Sequence, residues 1–372
     1  MKIKKSKNNR CKKCSLPFSY PGVKLKNKSC NYCEYRNKLR RNGFPSHDIT
    51  YSPPYKNTLK QKLIDKMEKF FKEIKKKNIK YHCAIAYSGG KDSTYNLYLL
   101  KKRYGLRVLP ITVKNGFMNS KAISNIEYSL SKLKIKKNIF IKDYIPLFYK
   151  IYDYFLTNHY DAPLKAMPPT LCLVCHSLIE LIVFQVADKN NCLFVAHGGD
   201  RYNMPPIFNP LLNKKKTYFR IISGGNKLFQ YFTSYYPILL KEKRLNKKDL
   251  YLIKKLCTLK KSITLIGPSL ILGNDPIDHN RKIMNLNLIE NKDNKIKDTN
   301  CKIMPILNYL YYKKYGYVPY EFIFSNYVFE NKKEKKWYKK KRSYQNQNFL
   351  KEPENKEIIE KLKLNRELIH QV

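Results

Sequence analysis

The stretch Ala84-Ile-Ala-Tyr-Ser-Gly-Gly-Lys-Asp-Ser-Thr94 contains the strongest structural signal in this chain. Its apolar first half predicts a buried strand, and the glycine pair followed by polar residues predicts a tight turn into a helix. Two glycines let backbone N–H groups approach an anion closely, and the positive end of the helix dipole strengthens the attraction. The hydroxyls of Ser88, Ser93 and Thr94 and the charge of Lys91 would add donors. The stretch therefore predicts an anion-binding cradle.

This cradle is not a Walker A loop, because Ile85 stands where that motif needs a glycine. It resembles the Ser-Gly-Gly-x-Asp-Ser signature of the PP-loop ATP pyrophosphatases. The resemblance implies that residues 88–93 bind the pyrophosphate part of ATP, that Lys91 and Asp92 act in catalysis, and that Asp92 helps to place Mg²⁺. It also implies the chemistry: attack on the α-phosphate gives an adenylate and releases pyrophosphate.

A second segment supports this resemblance. Residues 193–201 (Leu-Phe-Val-Ala-His-Gly-Gly-Asp-Arg) predict a strand followed by a glycine-rich turn. They resemble the Gly-His-x-x-Asp segment near the nucleotide in PP-loop enzymes, with Ala196 in place of the glycine. Lys114 stands where related proteins often have an acidic residue, which weakens any role of that position in binding adenosine. The expected nucleotide-binding residues are Ser88, Gly89, Gly90, Lys91, Asp92, Ser93, Thr94, His197 and Gly198.

The rest of the chain alternates strand and helix patterns. Strands are predicted at 82–87, 107–113, 138–142, 192–196 and 263–266. Helices are predicted at 58–77, 92–103, 120–133, 146–156, 175–187, 247–256 and 303–315. This alternation predicts an α/β fold with a mainly parallel sheet covered on both faces. With the resemblance, we expect a PP-loop (HUP-like, adenine nucleotide alpha hydrolase-like) domain at 46–275, a zinc ribbon at 1–45 and a basic helical region at 276–372.

The N-terminal cysteines have the spacing of a metal site. Cys11 and Cys14 form one C-x-x-C pair, and Cys30 and Cys33 form another after fifteen residues, which is the four-thiolate zinc pattern. A ribbon of this size has little apolar content, so Zn²⁺ binding should drive its folding. The sequence around these cysteines resembles that of the N-acetyl sugar amidotransferases of surface-polysaccharide synthesis. The resemblance extends over about residues 11–135.

A third cysteine pair lies in the middle of the chain. Cys172 and Cys175 open a predicted helix, followed by His176, and thiolates at a helix start suit metal binding or sulfur chemistry. The pair resembles the C-x-x-C of PP-loop tRNA thiolases, which implies catalytic cysteines and an iron–sulfur cluster with a third thiolate from Cys301 or, as second choice, Cys257. A second zinc site with His176 and two inert buried cysteines are the alternatives, since spacing alone does not select the metal.

Composition narrows the function classes. The net charge of +47, with 75 Lys+Arg against 28 Asp+Glu, favours an anionic partner such as RNA, although codon bias explains part of it. The basic run at 332–342 contains aromatic residues, as RNA-binding segments can, but shows no known RNA-binding motif. The sequence contains no apolar run of about 18 residues, so no membrane-spanning helix is expected. A cytoplasmic, soluble protein is therefore expected.

Three hypotheses follow for function. The first is an adenylating amidotransferase that acts on a sugar substrate with ammonia from a glutaminase partner. The second is a tRNA thiolase that uses the Cys172, Cys175 and Cys301 group. The third is a non-catalytic RNA-binding protein on a PP-loop scaffold, which the basic Lys114 would suit. The expected cofactors are ATP, Mg²⁺ and Zn²⁺, with an iron–sulfur cluster in the second hypothesis.

Overall fold

The computed structural model describes residues 10–26, 29–41, 57–157, 170–197, 219–225, 245–272, 276–290, 300–330 and 348–362. The predicted nucleotide-binding residue Gly198 and the basic run at 332–342 lie outside these ranges. Within the described residues, each helix is too short or too polar to cross a bilayer.

The elements run through the chain in the following order. The strands are β1 Leu25–Lys26, β2 Ser29–Cys30, β3 Cys83–Ala86, β4 Val108–Val113, β5 Ile139–Ile141, β6 Phe194–Ala196, β7 Phe219–Ile222 and β8 Ile263–Ile266. The α-helices are α1 Asn31–Arg41, α2 Asn57–Lys75, α3 Lys91–Tyr98, α4 Ser120–Lys132, α5 Ile145–Thr157, α6 Thr170–Lys189, α7 Lys247–Leu256, α8 Pro268–Ile271, α9 Pro276–Asn285, α10 Ile303–Tyr315, α11 Glu321–Glu330 and α12 Pro353–Lys361. A π-helical turn at Leu99–Arg103 extends α3.

Six strands form the central sheet in the order β5-β4-β3-β6-β8-β7. The first five of these run parallel, and β7 pairs antiparallel with β8 at one edge. The predicted α/β class with a mainly parallel sheet is therefore confirmed, and all five predicted strands are present. The edge strand β7 was not predicted, because it is short and follows a region without a clear hydrophobic period.

Both faces of the sheet are covered, because side chains alternate between them along each strand. In β3, Cys83 and Ile85 point to one apolar cluster and Ala84 to the other. The first cluster holds apolar residues of α2, α3, α4, α8 and α9. The second holds those of α5, α6, α7, α10 and α12. The sheet is therefore the middle layer of three.

The N-terminal ribbon packs on α11 and the residues just before it. Tyr20 lies edge-on to Tyr317, with ring centroids 5.3 Å apart. Arg36 is fully buried, lies 5.0 Å from the ring centroid of Phe322 and donates to Ser325 Oγ at 2.7 Å. These aromatic and polar contacts join residues far apart in the chain, so the ribbon is anchored to the C-terminal part of the molecule.

A second C-terminal segment reaches the sheet edge beside β4. Cys301 forms an isolated bridge with Met118. The N–H of Asn119 donates to the carbonyl of Asn300 at 2.9 Å, and the N–H of Lys302 donates to the carbonyl of Phe117 at 2.9 Å. This backbone pairing places residues 300–302 directly against the turn that follows β4.

Candidate functional site

The topology itself locates a site. From β3 the chain moves outward to β4 and β5, and it then returns to β6 on the other side of β3. The strand order thus reverses between β3 and β6. In open α/β sheets, ligands bind at the carboxyl ends of the strands where this reversal occurs. The turn at 87–90 and His197, which directly follows β6, both lie at this point.

The turn after β3 depends on Gly89. Its φ of +69° lies in the left-handed region that side chains with a Cβ rarely adopt. A Cβ at this position would also overlap the carbonyl oxygen of Ala122 and lie 2.8 Å from Ile126 Cγ1, both in α4. The absence of a side chain therefore lets the turn pack closely against α4 and curl into α3.

The start of α3 offers donors to a ligand. Gly90 is the N-cap residue of α3, and no side chain among the described residues caps this helix. The first backbone N–H groups of α3 therefore lack a side-chain acceptor at the cap. Ser88 is exposed, and its Oγ lies 3.2 Å from Ser93 Oγ. Asn300 Nδ2 donates to Ser88 Oγ at 3.2 Å and lies against Gly90. Amides, hydroxyls and one amide side chain thus line the same turn, as an anion site requires.

Thr94 differs from the other residues of the turn. Its side chain is buried, and its Oγ1 lies 3.3 Å from the hydroxyl of Tyr87. Tyr87 also contacts Ser129 Oγ in α4. The hydroxyl of Thr94 therefore belongs to a buried polar group under the turn, and its predicted role as a phosphate donor remains a prediction.

Charged residues follow the turn. Lys91 Nζ contacts Asp92 Oδ1 at 2.6 Å and Oδ2 at 2.7 Å. His279 Nδ1 lies 2.8 Å from Asp92 Oδ1. Burial acts to raise the pKa of Asp92, but Lys91 and His279 outweigh it and hold the pKa below its usual value. Asp92 is therefore an ionised carboxylate at neutral pH. Such an oxygen donor suits Mg²⁺, which binds through one or two carboxylates together with substrate phosphates.

His197 lies at the end of β6, and its N–H donates to the carbonyl of Ile266 at 2.7 Å. Its Nε2 lies 3.4 Å from Glu180 Oε1 of α6. His176 is one helical turn before Glu180, and its side chain is exposed. The predicted site residue His197 thus lies at the same sheet edge as the turn and faces a carboxylate.

The turn after β4 connects this edge to the middle cysteine pair. Gly116 has a φ of +89°, and Asn115 Oδ1 accepts from the N–H of Phe117 at 3.0 Å. Asn115 Nδ2 points to Cys175 Sγ at 3.9 Å. Lys114, which directly precedes this turn, has its Nζ 4.9 Å from the ring centroid of Phe140. The second turn of the sheet edge is therefore in contact with the cysteines of α6.

Cys172 and Cys175 are buried behind this turn, and the half-buried Cys301 lies near them. Cys172 Sγ lies 3.5 Å from Met304 Sδ, and Cys175 Sγ lies 3.2 Å from the hydroxyl of Tyr152. Burial raises the pKa of Cys175 to about 12, and a charge on Cys301 adds to this rise. Burial and Cys301 likewise raise the pKa of Cys172. The three thiols are thus close enough to influence one another, and they carry protons unless a metal replaces them.

The N-terminal cysteines have the dimensions of a zinc site. All four sulfurs lie within 4.8 Å of one another, and they are the one such group of potential ligands in the described residues. The distances are 3.7 Å for Cys11–Cys33, 3.6 Å for Cys14–Cys30 and 3.6 Å for Cys30–Cys33. A tetrahedral Zn²⁺ with Zn–S bonds of about 2.3 Å places its ligands about 3.8 Å apart. These three distances match that spacing, so the predicted four-cysteine group could hold a zinc ion.

The middle cysteine group does not have these dimensions, since its three sulfurs do not all lie within 4.8 Å of one another. Zinc would require them to move together. An iron–sulfur cluster binds each thiolate to a different iron and so tolerates a wider spacing. These three sulfurs therefore do not have the spacing of a tetrahedral zinc site, and the metal at Cys172 and Cys175 stays a prediction.

Two residues at this edge were missed by the sequence analysis. His279 reaches Asp92 across 187 positions of the chain, and Asn300 reaches Ser88 across 212. Neither lies in a motif with the residue it contacts. For Asn300 the available signal was its position directly before Cys301, a candidate ligand. For His279 the sequence offers no signal beyond a histidine in a short helix.

Comparisons with known proteins place these features in context. No family model matches the chain. An uncharacterized protein of Methanocaldococcus jannaschii is 36% identical over 88 residues, which is 24% of this chain and 32% of that protein. The match thus spans about a third of the relative's length.

Two solved structures are similar at low scores. An NH3-dependent NAD synthetase from Campylobacter jejuni, in complex with the nitrate ion, has a TM-score of 0.28 and 16% identity over 53% of this chain and 93% of the other. A U34-tRNA thiolase from Methanococcus maripaludis with its [4Fe-4S] cluster has a TM-score of 0.25 and 15% identity over 75% and 82%. Scores of this size do not define an activity.

The Gly89 turn yields a prediction about stability. Gly89→Ala should lower the free energy of unfolding by about 2 kcal/mol or more, because it adds overlap with α4 to the strain of a positive φ. Gly225→Ala is the matched control, since Gly225 has a φ of +87° but no neighbour among the described residues within 4 Å of an added Cβ. It should cost about 1 kcal/mol. Urea unfolding measures both, and equal losses would show that the packing against α4 is unimportant.

The ribbon yields a prediction about metal content. The purified chain should contain one zinc ion bound at the ribbon, and Cys33→Ser should remove it, because three thiolates and a hydroxyl bind zinc weakly. Cys83→Ser is the control, since Cys83 is buried in β3 away from the ribbon. Metal analysis by mass spectrometry decides the point. Full zinc retention in Cys33→Ser, or zinc loss in Cys83→Ser, would contradict the assignment.

Proposed function

We propose that this chain is an adenylating enzyme that uses ATP and releases pyrophosphate. The observation that carries the proposal is the position of the Ser88–Thr94 turn. A glycine turn with uncapped helix amides, hydroxyls and a lysine lies where the strand order reverses, which is the ligand position in open α/β sheets. The signature in this turn resembles that of PP-loop ATP pyrophosphatases.

The roles of the residues follow from their positions. The first amides of α3 and the hydroxyls of Ser88 and Ser93 would bind the β- and γ-phosphates, and Lys91 would neutralise part of their charge. Asn300 Nδ2 would donate to a phosphate oxygen in place of Ser88 Oγ. Asp92 would hold Mg²⁺, which supplies charge neutralisation on the phosphates when bound.

The proposed reaction has two steps, adenylation of the acceptor and displacement of AMP. A carbonyl oxygen of the acceptor attacks the α-phosphorus, and the bond from that phosphorus to the bridging oxygen breaks. Pyrophosphate leaves with the electron pair, and the acceptor becomes an adenylate. A nucleophile then attacks the activated carbon and loses a proton, and AMP leaves. The protein contributes mainly position and charge stabilisation.

Two more specific functions differ in the nucleophile that attacks the adenylate. The first uses ammonia, which a glutaminase partner would deliver to an N-acetyl sugar substrate. The resemblance of the ribbon sequence to the N-acetyl sugar amidotransferases supports it. The second is sulfur transfer to RNA. A specific observation favours it: Cys172, Cys175 and Cys301 lie together beside the turn after β4, and residues 300–302 connect them to the phosphate turn.

The phosphate turn yields a prediction about binding. Lys91→Ala should weaken the affinity for ATP and for pyrophosphate by about tenfold or more, because it removes a charge-assisted contact. Its affinity for AMP should stay within about twofold, since AMP lacks the β- and γ-phosphates. Lys132→Ala, an exposed lysine at the far end of α4, is the control. Calorimetry with each ligand measures the affinities. A wild-type chain that binds neither ATP nor pyrophosphate would overturn the proposed function.

The cysteine group yields a prediction that separates the two nucleophiles. If sulfur transfer is correct, protein purified without oxygen should be brown and contain about four irons per chain. Cys301→Ser should lose this iron, whereas Cys257→Ser should retain it, because Cys257 lies at the end of α7 outside the group. Iron analysis and absorbance spectra measure both variants. A colourless protein that holds zinc alone would leave ammonia as the nucleophile.

A further inference from the structure

The side chain of His279 is a buried polar group that contacts the residues of the phosphate turn. It is 1% exposed and lies on α9, where its ring lies 4.5 Å from the ring of Tyr95 in α3. Its Nδ1 contacts Asp92 Oδ1 at 2.8 Å. Its Nε2 is buried and has no hydrogen-bond partner among the described residues. A buried histidine with one nitrogen unpartnered is held in place mainly by the contact of the other nitrogen and by its ring packing.

The chemistry of the two groups defines the hydrogen bond. An ionised carboxylate can only accept, so His279 Nδ1–H is the donor to Asp92 Oδ1. His279 therefore acts on Asp92 through one defined atom.

The two carboxylate oxygens have different partners. Oδ1 is contacted by His279 and Lys91, whereas Oδ2 is contacted by Lys91 alone among the described residues. The side chain of Lys91 has several rotatable bonds and is 17% exposed, so its ammonium group can move to a phosphate. The ring of His279 is enclosed by its neighbours, so it cannot move to a phosphate. When Lys91 leaves, Oδ1 keeps its histidine and Oδ2 loses its cation.

Burial excludes a direct catalytic role for His279. A group that acts as general acid or base must come within hydrogen-bond reach of the reacting atom. The ring of His279 is covered by Tyr95, and Lys282 of the same helix also lies over Tyr95 at 5.1 Å from its centroid. The imidazole therefore acts through Asp92 and not on a substrate.

We propose that His279 is a positioning residue for the metal ligand Asp92. It holds Oδ1 in a fixed orientation and leaves Oδ2 for Mg²⁺ when Lys91 moves to the phosphates. This inference rests on the proposed function, because it assigns His279 to the same nucleotide site. A partner that orients a metal ligand typically contributes about 10–100-fold to metal affinity.

The test measures how pyrophosphate binding depends on Mg²⁺, by calorimetry on the full chain. His279→Asn places an amide N–H near the position of Nδ1, whereas His279→Gln places it near Nε2 and loses Asp92. We expect His279→Gln to need about tenfold more Mg²⁺ for half-saturation, with unchanged pyrophosphate binding in the absence of Mg²⁺. His279→Asn should stay within about threefold of wild type. In an Asp92→Asn background, His279→Gln should have no further effect on the Mg²⁺ requirement.

Three outcomes would overturn the inference while the proposed function stands. His279→Gln could show the wild-type Mg²⁺ requirement. It could weaken pyrophosphate equally with and without Mg²⁺, which is the result of a purely structural role in packing α9 on α3. His279→Asn could lose the Mg²⁺ dependence as Asp92→Asn does, and this comparison also decides the matter if His279→Gln does not fold. A wild-type chain that binds no pyrophosphate would instead overturn the proposed function, and the inference with it.

Discussion

The close packing of Gly89 against α4 is the contact on which the site depends. A left-handed residue without a Cβ lets the chain leave β3, pass beside Ala122 and enter α3 within four residues. Because the turn is tight, the first amides of α3 lie at the end of the sheet strand and not farther out in a loop. The topology adds the second condition, since β3 lies where the strand order reverses. A turn at this place can reach groups from both halves of the sheet.

Segments distant in the sequence complete the surroundings of this turn. Residues 300–302 pair with the turn after β4 and bring Asn300 to Ser88 and Cys301 to the middle cysteines. Helix α9 packs on α3 and brings His279 to Asp92. The ribbon packs on the residues around α11 through Arg36 and Tyr20. The C-terminal part of the chain therefore supplies residues to the site and also anchors the N-terminal cysteines.

The sequence predicts local features well and long-range contacts poorly, for physical reasons. The strand, turn and helix around Ser88 were predictable because their signals lie within eleven adjacent residues. The four-cysteine group of the ribbon was predictable because its two C-x-x-C pairs have the sequence spacing of a four-thiolate metal site. The contact between His279 and Asp92 spans 187 positions and depends on how α9 packs, which no local pattern records. Thr94 illustrates the opposite case, since its place in the motif does not show that its hydroxyl contacts Tyr87 in the core.

Hydrogen exchange of the backbone amides shows whether the turn at residues 88–94 binds the phosphates of ATP. Phosphate oxygens that accept from the first amides of α3 should slow exchange at residues 88–94 when Mg²⁺ and ATP are added, and AMP alone should slow it much less. Protection by ATP at other parts of the chain, with residues 88–94 exchanging at the same rate as before, would contradict phosphate binding by this turn.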